Sequence, residues 1–174
     1  MDVIETPRLV LRRQRAEDAP FILRLVNDPA WLRHIGDRGV RTLGDAREYI
    51  LGGAVAMYDR CGLGLYLVET REQRLPVGIC GLLKRDTLDD ADIGFAFAPE
   101  HRGLGYAREA AAATLAHARS DVGLDRVAAI VSPDNEASIR LLRRLGFAFD
   151  REIESAEDAP VHLYALPLSS LDTP

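Results

Sequence analysis

The residues with the clearest chemical potential lie between positions 99 and 107, where the chain reads PEHRGLGYA before an alanine-rich helical segment. Gly103 and Gly105 allow a ligand to approach the backbone closely. A helix that begins just after them offers unpaired N–H groups and the positive end of its dipole, which attract phosphate oxygens. The spacing therefore predicts an anion-binding turn, and a tight turn without a ligand is the less favoured alternative for both glycines.

Two common phosphate-binding motifs are absent from this turn. The dinucleotide fingerprint G-x-G-x-x-G/A would need glycine or alanine at position 108, which is Arg108. The P-loop pattern G-x-x-x-x-G-K-[ST] is also missing, because Lys84 is far from any such glycine pair. The turn is therefore expected to hold a diphosphate in another way.

Three short apolar runs precede the turn and predict the sheet that positions it. They span 64–69, 76–84 and 91–98, and the polar segments between them are too short for helices. Parallel neighbours need a crossover of a dozen or more residues, so these runs must form an antiparallel meander. The run at 126–131 can then lie parallel to 91–98 after a helical crossover. This pattern excludes a doubly wound nucleotide-binding fold.

The remaining segments alternate between helical and strand periodicity, and they predict an α+β domain (α/β in some schemes). Helices are expected at 16–27, from the capping sequence at 42–45 to about 60, at 104–120 and at 135–145, and further strands at 8–13, 147–152 and 161–166. Residues 29–43 are expected to connect the first two helices. Four arginines near the start are interpreted as the solvated face of the first strand: Arg8, Arg12, Arg13 and Arg15.

Composition bounds the class of protein. With 174 residues the chain is expected to form one domain at 1–168, followed by a flexible tail at 169–174. The formal net charge of −5 argues against nucleic acid as a partner, and no apolar run approaches the roughly 20 residues of a membrane span. The first residues lack the pattern of a secretory signal, so a cytoplasmic location is expected. The two cysteines and four scattered histidines show no metal-ligand spacing.

Three stretches carry a resemblance to a known family. Residues 102–107 match the Q/R-x-x-G-x-G/A signature of the GNAT family of acyl-CoA-dependent N-acetyltransferases, and residues 135–147 resemble its N-x-x-S…L-G-F helix. Residues 92–99 are similar to the family's fourth strand where it runs into the CoA turn. The opening residues 6–12 and the later Asn27-Asp28-Pro29 resemble the branch that contains ribosomal-protein N-terminal acetyltransferases. The resemblance therefore spans nearly the whole chain.

The resemblance implies a mixed, mostly antiparallel sheet that splays between its fourth and fifth strands and holds the pantetheine arm of acetyl-CoA in the gap. It places the backbone of Phe97 beside the pantetheine and Asn135 near the thioester. A plain helix cap is the less favoured alternative for Asn135. The diphosphate is expected along the turn formed by Arg102, Gly103, Leu104, Gly105, Tyr106 and Ala107. No metal is expected.

The chemistry that the resemblance implies is direct attack of an amine on the thioester. An aliphatic ammonium has a pKa near 10 and must first lose a proton, and the departing thiolate needs a hydrogen-bond donor. Asp92 is the candidate base, although it can equally be a turn or edge-strand residue. Leu142 stands where the family often has a tyrosine acid. Ser138 is therefore hypothesised to replace that acid, and its plain alternative is a first-turn partner of the helix cap.

The acceptor pocket is expected from residues 29–43, with Trp31 and His34 as substrate-binding candidates, and from the loop at 152–160. Trp31 can equally belong to the core. The acceptor amine is expected to be a peptide N-terminus, a polyamine or an aminoglycoside-like amine, and a homodimer is one option for the assembly. Because the tyrosine is missing, a non-catalytic acyl-CoA-binding or sensing module is the alternative. A nucleotide-binding or protein-interaction domain is the third and least favoured hypothesis.

Overall fold

The computed structural model describes residues 2–155 and 159–172, which form one mixed sheet of eight strands with helices on both faces. The strands are β1 (Asp2–Glu5), β2 (Leu9–Arg12), β3 (Gly64–Thr70), β4 (Pro76–Leu83), β5 (Asp92–Phe97), β6 (Arg126–Val131), β7 (Ala148–Glu154) and β8 (Pro160–Pro167). Their order in the sheet is β1-β2-β3-β4-β5-β6-β8-β7.

Six α-helices are described in these residues. They are α1 (Ala19–Val26), α2 (Pro29–His34), α3 (Leu43–Ile50), α4 (Ala56–Cys61), α5 (Tyr106–Ser120) and α6 (Glu136–Arg144). A π-helical turn at Leu51–Val55 joins α3 to α4, so the predicted second helix is one helical stretch that is wound more loosely around its two glycines. Short 3-10 helices lie at Ala16–Asp18, Pro99–His101 and Leu168–Asp172. Residues 173–174 of the predicted tail lie outside the described residues.

The predicted meander is confirmed. Each of β2, β3 and β4 pairs antiparallel with the strand that follows it, and β5 then pairs parallel with β6 after the crossover through α5. In the described chain the β5–β6 ladder holds a single residue pair, Asp92 with Ala128. The two strands therefore diverge beyond that point and split the sheet into two arms. Because β1 was not among the predicted strands, β5 and β6 are the predicted fourth and fifth strands, and the splay lies where the mixed α+β fold was expected to have it.

The helices fill the two faces of the sheet with separate apolar clusters. On one face α5 packs against β4 and β5, and its small side chains Ala110, Ala111 and Ala118 are completely covered. Alanine adds little bulk, so the helix axis can lie close to the sheet. On the other face α1 and α3 cover Leu67 and Ile79. Helix α5, which follows the turn directly, is thus packed closely against the sheet.

Three features of the fold were not predicted. The first is β1, a four-residue strand on the outer edge that pairs with β2. The second is α2, which begins inside the expected connection because Pro29 occupies the first helical position and Asp28 caps it with a bond from the Ala30 amide (3.2 Å). The third is the position of β8 between β6 and β7, which leaves β7 as an exposed edge strand.

The interpretation of the early arginines as one solvated face is wrong for Arg12. This side chain is buried between Asp18 and Glu69, with Nη2–carboxylate distances of 2.8 Å to each. Hydrogen bonds from the guanidinium to Asp18 and then to Glu69 raise the pKa of Arg12 further above its already high value, against the opposing effect of burial. Arg12 therefore ties β2 to β3 and to the start of α1.

Candidate active site

The backbone of the turn after β5 allows a ligand to approach it closely. Gly103 (φ +74°) and Gly105 (φ +83°) both adopt the left-handed conformation that favours glycine, and α5 starts at the next residue. The amides of residues 103–108 find no hydrogen-bond acceptor among the described residues, since the first bond of the helix runs from the Glu109 amide to the Gly105 carbonyl (3.1 Å). Six N–H groups at a positive helix end thus form a cradle for an anion.

Arg102 holds this turn in place from inside the protein. Its Nε donates to the carbonyl of Phe97 (3.0 Å), and its Nη2 donates to Oδ2 of Asp28 at the start of α2 (2.6 Å). The side chain is still about two-fifths exposed, at 43%. The predicted cofactor-binding arginine is therefore placed at the turn, with its guanidinium committed to two partners within the chain.

The inner edge of β5 is available for pairing along the split. The Ala98 amide donates to the Val77 carbonyl of β4 (3.0 Å), and Ala91 faces the other way, because its carbonyl accepts from the Ala128 amide of β6 (2.9 Å). Backbone groups alternate along a strand, so those of Phe95 and Phe97 also face the β6 side, beyond the single β5–β6 pair. An extended chain could enter there as an added strand.

Asp92 lies at the vertex of the split, where β5 and β6 still pair. It is neither on a turn nor on an edge strand, because it is the first residue of β5, which lies between β4 and β6. Only 1% of Asp92 is exposed, and Arg85 Nε contacts its two carboxylate oxygens at 3.0 and 3.1 Å. Burial raises the pKa of Asp92, and the nearby Arg85 only partly opposes that effect. A buried carboxyl with a raised pKa at the closed end of a cleft is a candidate for proton transfer.

The second arm of the split ends at the start of α6. The Asn135 side chain accepts from the Ser138 amide (3.3 Å), which makes it a helix cap as well as a candidate ligand group. Ser138 is half-buried, and its hydroxyl has no hydrogen bond within the described chain. Leu142 is 1% exposed and packs into the main apolar cluster. The position of the missing tyrosine is therefore filled by a core residue.

Helix α2 spans the mouth of the split and is tied to both arms. At its N-terminus Asp28 contacts Arg102 on the β5 arm. At its C-terminus Arg33 Nη2 contacts Oδ2 of Asp134, on the loop between β6 and α6, at 3.1 Å. The predicted substrate residue His34 places Nδ1 3.4 Å from Oδ1 of Asp134, without the alignment of a hydrogen bond. The segment that was predicted to line the acceptor pocket therefore lies between the two arms of the split.

Trp31, the other predicted substrate residue, belongs to the core in the free protein. It is 5% exposed and packs with the α1–α3 cluster, and its indole N–H has no acceptor in the described residues.

Residues 156–158 of the second predicted acceptor loop lie outside the described residues. Within 2–155 and 159–172 no group of three or more His, Cys, Asp or Glu side chains is placed to hold a metal ion, and none of the helices has the length and apolarity to cross a membrane.

A mixed sheet that splits beside an anion-binding helix start is the architecture of the GNAT acetyltransferases. The family described as "Acetyltransferase (GNAT) domain" matches residues 8–148. The "Uncharacterized N-acetyltransferase YoaA" of Bacillus subtilis is 31% identical over 147 residues, which are 83% of this chain and 82% of that protein. The chain therefore belongs to the GNAT acetyltransferase family and is an N-acetyltransferase by class.

Two solved structures show how closely the fold is shared. An acetyltransferase from Agrobacterium tumefaciens strain C58 superposes with a TM-score of 0.81 at 23% identity, over 95% of this chain and 94% of that one. RimL, a ribosomal L7/L12 α-N-protein acetyltransferase in complex with coenzyme A, gives a TM-score of 0.82 at 21% identity, over 96% and 98%. At these identities the likeness concerns the fold alone.

The structure adds several residues to the site that sequence patterns did not indicate. They are Arg8 against the turn, Asp28 and Asp134 at the ties of α2, and Arg85 beside the candidate base. Arg8, Asp28 and Asp134 act through partners that are distant in sequence, and no local spacing signals such contacts. Arg85 is only seven residues from Asp92, but the two meet across the turn between β4 and β5. The one available signal was Asp28-Pro29, which is a helix-start sequence as well as a helix stop.

Proposed function

We propose that this protein transfers an acetyl group from acetyl-CoA to a primary amine, by direct attack of the amine on the thioester. The observation that carries the proposal is the combination of an amide cradle at 103–108, unpartnered within the described residues, with the edge of β5 that faces the split. On that edge the Phe95 backbone and the Phe97 amide are free to pair in the described chain, while the Phe97 carbonyl accepts from Arg102. The cradle fits a diphosphate, and the edge fits the amides of a pantetheine arm. Both fit one elongated ligand, because β5 leads directly into the turn.

In this proposal the backbone does most of the binding. The amides of the turn and the dipole of α5 hold the diphosphate, and Arg102 supports them by holding the Phe97 carbonyl and Asp28. The inner edge of β5 aligns the pantetheine along the split. Asn135 and Ser138, on the opposite arm, then lie beside the thioester end. The reacting carbon is thereby held between the two arms, facing the acceptor that enters under α2.

Asp92 is proposed as the base that takes the ammonium proton, directly or through a water molecule. The pKa of Asp92 is raised and is therefore closer to neutral pH than the pKa of an ordinary aspartate. The ionised carboxylate is accordingly a stronger proton acceptor. The neutral amine attacks the thioester carbonyl, a tetrahedral intermediate forms, and the C–S bond breaks as the amide forms. The attacking nitrogen loses one further proton as the amide forms, and the leaving thiolate takes up one proton, so the reaction is balanced. The Ser138 hydroxyl is proposed to donate a hydrogen bond to that thiolate and to pass the proton to it.

The test is an amine-panel assay that follows release of the free thiol from acetyl-CoA. A peptide with a free N-terminus, spermidine and kanamycin represent the three acceptor classes, and the same peptide with an acetylated N-terminus is the control. Thiol release with at least one free amine, and none with the blocked peptide, is the expected result. Binding of acetyl-CoA by calorimetry without thiol release for any amine would instead support the non-catalytic sensing module. Binding of NAD in place of acetyl-CoA and CoA would refute both.

The role of Ser138 has its own expected outcome. Because a hydrogen bond to a charged group contributes about 1.5–3 kcal/mol, Ser138→Ala should lower kcat about tenfold or more. The affinity for acetyl-CoA should stay unchanged, because the Asn135 cap uses the Ser138 amide and not its hydroxyl. Ser120→Ala, at the far end of α5, is the matched control. Normal turnover of Ser138→Ala with tight acetyl-CoA binding would rule out this donor.

A further inference from the structure

The N-terminal segment is fastened to the anion-binding turn by a cluster of short contacts around Glu109. The Thr6 hydroxyl and the Arg8 amide donate to Glu109 Oε1 (2.7 and 2.9 Å), and Arg8 Nε donates to Oε2 (2.6 Å). Partial burial would raise the pKa of Glu109, but the hydrogen bonds from Thr6 and Arg8 outweigh it and lower the pKa. Glu109 is therefore a firm anionic anchor in the first turn of α5.

The Arg8 guanidinium is held against the turn by contacts with three of its neighbouring residues. Besides Glu109, its Nη1 donates to the carbonyl of Leu104 (2.9 Å), and its central carbon lies 4.8 Å from the centre of the Tyr106 ring. A planar guanidinium with two of its three nitrogens bound has little freedom left. The third nitrogen, Nη2, is consequently fixed in position as well.

That third nitrogen faces the glycine whose amide opens the helix. Nη2 has no hydrogen-bond partner in the described chain, and a Cβ atom built on Gly105 would lie 3.1 Å from it. The side chain is 48% exposed, so the nitrogen is within reach of a ligand. An oxygen bound to the Gly105 amide would lie close to Nη2 and could accept a hydrogen bond from it.

The turn has two positive features, the Arg8 cation and the N-terminus of α5, while Glu109 is the one anionic group that contacts Arg8 in the described residues. A helix N-terminus is the positive end of the helix dipole and favours negative groups. Glu109 offsets one positive charge, yet both the Arg8 cation and the unpartnered amides of the turn remain beside each other. A phosphate would satisfy both, and it would gain a charge-assisted hydrogen bond.

We infer that Arg8 is a phosphate-binding residue of the acyl-CoA site, which donates from Nη2 to the diphosphate held on the amides of residues 103–108. The inference rests on the proposed function, because it takes acyl-CoA as the ligand of this turn. It gives the opening T-x-R segment a direct role: Thr6 and Glu109 orient the guanidinium, and Arg8 contacts the ligand.

Calorimetry with coenzyme A tests this contact without relying on turnover. Arg8→Gln is expected to raise the Kd for coenzyme A about tenfold, which is the low end for a hydrogen bond between charged groups at a half-exposed site. Arg8→Lys should lose less, because it keeps the charge but not the fork geometry. The control is Arg13→Gln, an exposed arginine of the same segment whose guanidinium lies over Tyr58, and its Kd should not change.

Two further measurements separate a ligand contact from a merely structural role. S-acetylpantetheine lacks the diphosphate, so kcat/KM with this substrate should be equal in wild type and Arg8→Gln, while kcat/KM with acetyl-CoA falls. Glu109→Gln, which keeps the cation, should raise the Kd less than Arg8→Gln does. Equal loss with both substrates, or an unchanged Kd for coenzyme A, would overturn the role of Arg8 alone. Failure of the wild type to bind coenzyme A would overturn the proposed function itself.

Discussion

Replacing Gly105 with valine is expected to abolish measurable binding of acetyl-CoA, with a rise in Kd of about a hundredfold or more. Gly105 has φ +83°, a region that costs a non-glycine residue about 1–3 kcal/mol and is worst for β-branched side chains. The new Cβ would also lie 3.1 Å from Arg8 Nη2 and would occupy the space that a phosphate oxygen needs. Calorimetry with acetyl-CoA measures the effect directly.

The chain offers a matched control for this substitution. Gly123, in the connection between α5 and β6, has nearly the same backbone conformation (φ +77°) and open space around it, but it lies at the opposite end of α5 from the turn. Gly123→Val should therefore carry similar strain and retain acetyl-CoA binding. If Gly105→Val and Gly123→Val bound acetyl-CoA equally well, the diphosphate could not lie on this turn.

Replacing Asp92 with asparagine is expected to lower kcat/KM about a hundredfold or more, which is the usual size of a general-base contribution. The base must be ionised to work, so activity should rise with pH as the carboxyl loses its proton. Because burial raises the pKa of Asp92, this rise should occur above the ordinary aspartate value of 3.8. A pH–rate profile of kcat/KM for both proteins checks the effect, and the rise should be absent from Asp92→Asn.

Arg85 provides the companion variant. The charge of Arg85 opposes the effect of burial on Asp92, so Arg85→Gln should raise the pKa further and move the rise in kcat/KM to higher pH. Activity should return at high pH, where the carboxylate is again ionised. A uniform loss of activity across all pH values, with no displacement of the profile, would assign the Arg85–Asp92 pair to structure alone.

The same pKa direction has a consequence for stability. Because the pKa of Asp92 is higher in the folded protein than in the unfolded chain, the folded protein binds the proton more readily. The free energy of unfolding therefore falls as the pH rises from the unfolded-state pKa through the folded-state pKa, and it stays lower at neutral pH, where Asp92 is ionised. Asp92→Asn should therefore be at least as stable as wild type at neutral pH in urea unfolding. An acid that is retained where it costs stability fits a functional role better than a structural one.

The layout of the sheet could be predicted because it follows from local rules. The runs at 64–69, 76–84 and 91–98 are separated by connections too short for parallel pairing, so the meander had no alternative. The position of β8 between β6 and β7 could not be predicted in that way. A hairpin can join the existing sheet through either of its strands, and only the packing of the complete sheet selects β8.

The candidate site divides along the same line. Gly103 and Gly105 were recognisable from the turn they form, and both have the positive φ that such a turn requires. The contacts that hold the turn were not, because Arg8–Glu109 and Arg102–Asp28 join residues that are far apart in sequence. For Trp31 the sequence left two roles open, a substrate-binding residue or a core residue. In the folded chain this side chain is buried in the core.

Helix α2 touches each arm of the split through one of its ends, and none of these contacts is part of the sheet. If the acceptor enters under α2 as proposed, its preference can change during evolution through substitutions in the six residues of α2 and in the residues that hold its two ends. The strands that are proposed to bind the acyl donor would stay unchanged. Such a separation would let one scaffold serve different amines, and it names the residues to exchange in a comparison with a relative that uses another acceptor.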